Sequence, residues 1–210
     1  MGDGRRPRQA RLTYPEIVRN RRMIRAFAAR QVDAAVVDDL IDLARHAPAA
    51  GNTDGRDFLV LDTPSATATY WDTTLPADRR ESFRWAQLLA APVLVVVLVR
   101  PESWVERYAE PDKAQTGLGH DADAWPVPYW WVDGGMAAMT ILHGAVDVDL
   151  GALFFGTFEH EAAVLARFGV PGDRRIVGVI ALGHPMPHEA GRSASRRRRP
   201  VDEVVHRNAW

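Results

Sequence analysis

Three arginines stand within five residues at Arg21-Arg22-Met23-Ile24-Arg25, and Ala26-Phe27 follows at once. Guanidinium groups hold phosphate or carboxylate through paired, charge-assisted hydrogen bonds. A cluster of them between a short helix and an apolar anchor therefore suits an anionic ligand. Taken alone, a solvated basic turn is the commoner use of such a cluster. A second set, Arg196-Arg197-Arg198-Arg199-Pro200, lies near the other end of the chain, and Lys113 is the single lysine. Any bound phosphate would thus be held by guanidinium forks. Two small-residue segments fall between these sets. Ala47-Pro48-Ala49-Ala50-Gly51-Asn52 lets backbone approach a flat ligand, with Asn52 able to give and accept a hydrogen bond. It reads equally well as an ordinary helix stop. In Leu150-Gly151-Ala152-Leu153-Phe154-Phe155-Gly156-Thr157, Gly156 is placed to present backbone N–H groups, but the Gly-Lys-Ser/Thr ending of a phosphate loop is absent.

Other chemistries fall away. There is no cysteine, which removes disulfides, thiolate nucleophiles and iron–sulfur ligation together. His184 and His188 are separated by Pro185 and Pro187, so they do not make a helical metal pair, and no metal site is expected. Gly117-Leu118-Gly119-His120 follows no strand and opens no helix, unlike a dinucleotide fingerprint. No serine sits in a nucleophile elbow. The net charge of −1 over 210 residues implies no polyanionic partner, although the arginines gather at the ends. The longest apolar run, Leu88 to Val99, is well short of the roughly 20 residues a membrane span needs. Residues 1–12 read as a polar, disordered start rather than a signal peptide, and a cytoplasmic location is expected.

The elements that must position these groups follow from periodicity. Tyr14 to Arg22 is a short helix candidate. Asp33 is placed to cap a helix whose apolar positions run from Val36 to Ala47, and Pro48 stops it. Phe58 to Leu61 is a short strand. Asp62 to Arg80 is expected to be a loop with one helical turn at most, and Glu81 to Leu89 is helical in character. Val93 to Val99 is an unbroken β-branched run, the mark of a central strand covered on both faces. Arg100 to Tyr129 is expected to be irregular and functional, a lid that sets substrate choice. Trp130 to Val146 is a long helix apolar nearly all round, fit for a core or an interface. Trp125, Trp130 and Trp131 suit a core or an aromatic ligand. A strand at Leu150 to Phe155, a helix at Glu159 to Phe168 and a strand at Ile176 to Leu182 complete one α+β domain over residues 13–210.

In order and spacing, the four motif segments resemble those of the nitroreductase family of FMN proteins, from about Tyr14 to Val205. The family shows an Arg-Arg-Ser-x-Arg-x-Phe start, an Ala-Pro-Ser-x-x-Asn loop, a Gly-Leu-Gly-like stretch after a long apolar helix, and a basic-x-Arg-x-Pro-x-x-Glu ending. The resemblance implies an α+β fold with a central mixed or antiparallel sheet flanked by helices, in an intertwined homodimer. It implies that Arg21, Arg22 and Met23 line the FMN phosphate and ribityl chain, with Arg196 and Arg198 completing the phosphate site. Arg25 would lie near the pyrimidine edge of the flavin. Phe155, Gly156 and Thr157 would back the ring, while Pro48, Ala49, Ala50 and Asn52 would reach the flavin of the partner subunit. Arg84 and Gln87 fall where a further polar contact is frequent. The implied activity is two-step hydride transfer from NADH or NADPH to a small-molecule acceptor such as a nitroaromatic or a quinone. No catalytic acid or base is implied, because the flavin carries the chemistry.

The chain departs from the pattern at Met23 and Ala49, where serine is usual, and at Thr53-Asp54-Gly55-Arg56, where Gln-Pro-Trp is usual. These changes predict a remodelled pocket edge without loss of the arginines. Two other readings stand beside this one: a nucleic-acid or anionic-surface binder using the arginine-rich ends, and a flavin-binding protein without turnover. The colour of the purified protein separates the first from an enzyme, and an activity assay separates the second.

Overall fold

The computed structural model describes residues 12–187 and 195–210. The arginines at positions 5, 6, 8 and 11, Arg192 and His188 lie outside the described residues. Four strands form one antiparallel sheet: β1 (Arg56–Leu61), β2 (Val93–Val99), β3 (Gly151–Phe155) and β4 (Arg175–Gly183), in the spatial order β1-β2-β4-β3. All seven residues of β2 are buried, as expected of a central β-branched run. Its side chains alternate between two cores, as pleating requires. Val93, Val95 and Val97 enter one core, with Ile180 and Leu182 of β4. Leu94, Val96 and Leu98 enter the other, with Val179 and Ala181.

The first core is roofed by α2 (Ala34–Arg45) and α6 (Tyr129–Asp147). The Asp33 carboxylate caps α2 by accepting from Ala35 N at 3.0 Å. Its apolar stripe sets Val37, Leu40 and Ala44 against Ala137, Ile141, Leu142 and Ala145 of α6. Close packing depends on two missing side chains. A Cβ on Gly144 would stand 2.5 Å from Leu40 Cδ2, and one on Gly134 would stand 2.6 Å from Val177 Cγ2. The second core is covered by α3 (Pro64–Thr74) and α7 (Glu161–Arg167), with Tyr70, Trp71 and Val164 buried there. The remaining helices are α1 (Tyr14–Asn20), the single turn α4 (Ala77–Arg80) and α5 (Pro101–Tyr108).

Three expectations about elements are corrected. Residues 62–80 are not a loop, because α3 occupies most of them. The Thr63 hydroxyl caps Ala66 N at 3.2 Å, Pro64 takes the first helical position, and Thr67, Tyr70 and Trp71 bury one face. Glu81 to Leu89 does not form a regular helix; turns lead into a 3₁₀ segment at Ala86–Ala90. Residues 100–129 are not irregular throughout. Pro101 opens α5, and Trp104 is completely buried in a third cluster with Val99, Trp125 and Trp130. Trp125 and Trp130 are thus core residues, and Trp131 lies half-buried beneath the Arg175 guanidinium, 5.4 Å from its ring centre.

Candidate functional site

Residues 21–28 run extended along the edge of the sheet. Met23 bridges Ala152 in parallel and Ile24 N donates to Ala152 O at 2.9 Å. Farther along, Phe27 N donates to Gln87 O at 3.3 Å and Ala28 N to His184 O at 2.9 Å. The first pair holds the start of the segment against β3 as a parallel partner, and the later bonds tie its end to the 3₁₀ segment and to the residue after β4. The burial of Ala26 and Phe27 anchors it.

The three arginines are used differently. Arg22 is exposed and folds back on its own turn, donating from Nη1 to Arg19 O at 2.5 Å and to Arg21 O at 3.0 Å. Arg25 donates to Met23 O at 3.2 Å and lies 5.3 Å from the Trp85 ring centre, which Arg84 also approaches at 4.6 Å. Arg21 closes α1, and its Nη1 is buried with no hydrogen-bond partner among the described residues. Beside it on α6 is His143, whose pKa is lowered by burial first and by the Arg21 charge second. Tyr14 meets the His143 ring edge-on at 5.6 Å.

The Ala49–Asn52 loop is built at the other end of α6. Helix α2 ends at Arg45, and the chain turns through Gly51 (φ 64°) and Asn52 (φ 55°), both left-handed. The buried Asp133 of α6 fixes the loop: its Oδ2 accepts from Ala50 N and from Trp104 Nε1, each at 2.8 Å. Arg107 of α5 donates to Gly51 O at 2.9 Å. Arg56, one of the departures from the family pattern, donates to Ala47 O at 2.9 Å and Arg45 O at 3.3 Å, and burial lowers its pKa. It closes the C-terminal end of α2, where free carbonyls favour a cation. Sequence reasoning missed Asp133, Trp104, Arg107 and Arg56 as the supports of this loop. The one signal available was an acidic residue within an apolar helix, because a buried carboxylate must find donors.

At the end of β3, Phe155 stacks on Trp71, with ring centres 5.8 Å apart and planes 10° from parallel. Gly156 and the buried Thr157 follow, and a Cβ on Gly156 would lie 3.1 Å from Phe158 Cζ. Pro48 and Asn52 are exposed, as are Arg196 and Arg198. The last two lie on a C-terminal stretch where Arg199 pairs with Glu203 and His206 stacks on Trp210. Neither is hydrogen-bonded to the Arg21–Arg25 segment.

Within one chain, the structure joins Arg21–Arg25 to β3, which ends at Phe155. It does not join them to Ala49–Asn52. Asp133, which holds that loop, and His143, which neighbours Arg21, are ten positions apart on α6, a helical rise of roughly 15 Å. Among the described residues, no group of three or more His, Asp or Glu is placed to hold a metal ion.

Comparison with known proteins identifies the family. A curated relative from Archaeoglobus fulgidus, provisionally named an NADH dehydrogenase/NAD(P)H nitroreductase, is 23% identical over 93% of this chain and 97% of its own. A solved protein from Exiguobacterium sibiricum, provisionally named a nitroreductase and in complex with FMN, superposes with a TM-score of 0.74 at 18% identity, covering 94% of this chain and 98% of that one. A nitroreductase family protein from Streptococcus pneumoniae gives 0.71 at 16% identity, covering 92% and 99%. At such identities the solved structures establish the fold. The family model for nitroreductases matches residues 18–184, which is most of the chain and holds the Arg21–Arg25, Ala47–Asn52 and Leu150–Thr157 segments, and the chain therefore belongs to the nitroreductase family.

Proposed function

We propose that this protein is an FMN-dependent oxidoreductase that passes two electrons from NADH or NADPH to a small organic acceptor such as a nitroaromatic or a quinone. The observation that carries the reading is the buried, unpartnered Nη1 of Arg21 in an arginine segment pinned to the sheet edge. A buried donor left unsatisfied is costly, and cationic ones are rare without a partner. Once the guanidinium swings out of its packed position, an anionic ligand group supplies that partner, and the segment fits a phosphate.

In this reading Arg21, Arg22 and Met23 hold the phosphate and ribityl chain, with Arg196 and Arg198 brought to the same phosphate. Met23 offers no hydroxyl, so binding leans on the guanidinium groups. Arg25, with its charge held over Trp85, serves the pyrimidine edge, and Phe155, Gly156 and Thr157 back the ring. When bound, FMN supplies the two-electron chemistry, serving donor and acceptor alternately. The protein supplies placement, positive charge and exclusion of water.

The placement of Ala49–Asn52 and Arg21 beside opposite ends of α6, where Asp133 and His143 are roughly 15 Å apart along the helix, supports a homodimer in which Pro48, Ala49, Ala50 and Asn52 complete the partner's site. The solvent-facing side of α6 supports it too. Val132, Met136, Met139 and His143 recur there at helical spacing, with Met136 and Met139 40% and 41% exposed. No helix among the described residues is long and apolar enough to cross a membrane.

The test is to release and identify the cofactor of the purified protein, then titrate the protein anaerobically with NADH and NADPH. Release of FMN, bleaching by one donor and recovery of colour on adding a quinone or nitroaromatic are expected. A protein that neither carries nor takes up FMN refutes the reading.

A further inference from the structure

Phe158, just past the end of β3, carries two costs and no compensating burial. It is 82% exposed, more than any other described large hydrophobic residue except the terminal Trp210. Its backbone is left-handed as well, with φ 47°, a region that sterics close to bulky side chains. The other described non-glycine residues with positive φ are Asn52, Asp149 and Asn208, whose short polar side chains tolerate it. The Phe158 ring is nevertheless seated. A Cβ on Gly156 would stand 3.1 Å from its Cζ, 3.3 Å from Cε1 and 3.4 Å from Cε2. The far end of the ring therefore lies over the Gly156 backbone, and a larger residue at 156 would crowd it. Phe155 is committed to Trp71 by stacking, and Thr157 is buried. Phe158 is thus left as an open aromatic surface at this end of β3.

Backbone strain in a residue that gains no burial marks a binding role rather than a packing one. A ring resting on a glycine, with most of its surface free and no charge of its own, is a platform for a flat ring that comes and goes. We propose that Phe158 is a specificity-determining residue, stacking on the ring of an aromatic or quinonoid electron acceptor as it meets the flavin. The inference rests on the flavin reading above, in which Phe155, Gly156 and Thr157 back the flavin ring, and it adds the residue that selects a ring-bearing acceptor. Ring pairs of this kind strengthen binding by about 2- to 12-fold beyond the burial of area.

The test is steady-state turnover of the FMN-loaded protein with p-benzoquinone and nitrobenzene, against ferricyanide, an acceptor with no ring to stack. Phe158→Ala should lower kcat/KM for the two ring acceptors about three- to tenfold through KM, with kcat, ferricyanide turnover, FMN content and sedimentation unchanged. Phe158→Tyr, which retains the ring, should keep the wild-type values. Phe158→Gly suits the left-handed backbone, so it should show the same acceptor loss with a melting temperature equal to or above that of the wild type. The inference fails if Phe158→Ala slows ferricyanide as much as the ring acceptors, or if Phe158→Gly melts clearly lower, as a ring packed for stability would require. Dissociation of a dimer by Phe158→Ala would make the ring an interface contact and overturn it too. Wild-type protein that takes up no FMN overturns the flavin reading and this inference together, whereas FMN-loaded protein indifferent to the variants overturns this inference alone.

Discussion

Replacing Asp133 tests how the Ala49–Asn52 loop is held. The carboxylate is 2% exposed and its Oδ2 takes two N–H groups at 2.8 Å, one from Ala50 and one from the completely buried Trp104. Hydrogen bonds to charged groups are worth roughly 1.5–3 kcal/mol each, and orphaned buried donors cost about as much as the bonds they lose. The two bonds share one acceptor and are not additive, so Asp133→Ala should cost about 3–5 kcal/mol. For a chain of this length that is a fall of roughly 6–20 °C in melting temperature. Asp133→Asn can set its amide oxygen where Oδ2 lies and keep both bonds in neutral form, at a cost of about 1–2 kcal/mol. The assay is guanidinium unfolding followed by tryptophan emission at a fixed protomer concentration, since association shifts apparent stability. The reasoning fails if alanine costs less than about 1 kcal/mol or if asparagine is as damaging as alanine.

Four further outcomes are expected. Arg198→Ala should weaken FMN binding by roughly 1.5–3 kcal/mol in equilibrium dialysis; unchanged occupancy would remove Arg198 from the phosphate site. Met139→Glu, on the open side of α6, should shift the protein to a monomer in micromolar sedimentation with its circular dichroism intact, and a persistent dimer would put the interface elsewhere. Burial, and Arg21 after it, lowers the pKa of His143, so below about 6.5 the unfolded imidazole takes up its proton first. Stability should therefore be full above that pH and decline as pH falls toward the lower folded value. His143 is partly exposed, so the decline is shallow, and His143→Gln should flatten it in urea titrations at pH 5 and 7. Residues 110–118 leave and return to one point, because a Cβ on Gly119 would stand 2.4 Å from Ala109 N. Removing them should alter acceptor preference in steady-state assays while flavin content holds, and an unchanged acceptor profile would show that this excursion is no lid.

Prolines show where local reading misled. Pro64 and Pro101 look like loop punctuation, yet each occupies the first turn of a helix, where its missing N–H costs nothing. The buried face of α3 is only Thr67, Tyr70 and Trp71 among threonines and alanines, a stripe too sparse for periodicity to reveal. That helix exists because the second core needs a cover. Glu81 to Leu89 failed in the opposite sense: its residues favour a helix, but Gln87 is drawn into the backbone bond with Phe27.

What the sequence determined by itself was whatever depends on near neighbours. The β-branched run made β2, Asp33 capped α2, the apolar stretch made α6, and the motif segments, read in order, carried the family and its fold. These are local propensities and patterns that any stable packing must respect. Tertiary structure alone decided which polar groups are left over. Of the three arginines in this segment, Arg22 and Arg25 bond to backbone carbonyls nearby, while Arg21 keeps a buried nitrogen without a partner among the described residues. It alone placed Asp133 against Ala50 across 83 positions of sequence. It also set Ala49–Asn52 at the far end of α6 from Arg21, the separation on which the proposed dimer rests. Desolvation and long-range pairing are properties of the packed chain, and no short window of sequence contains them.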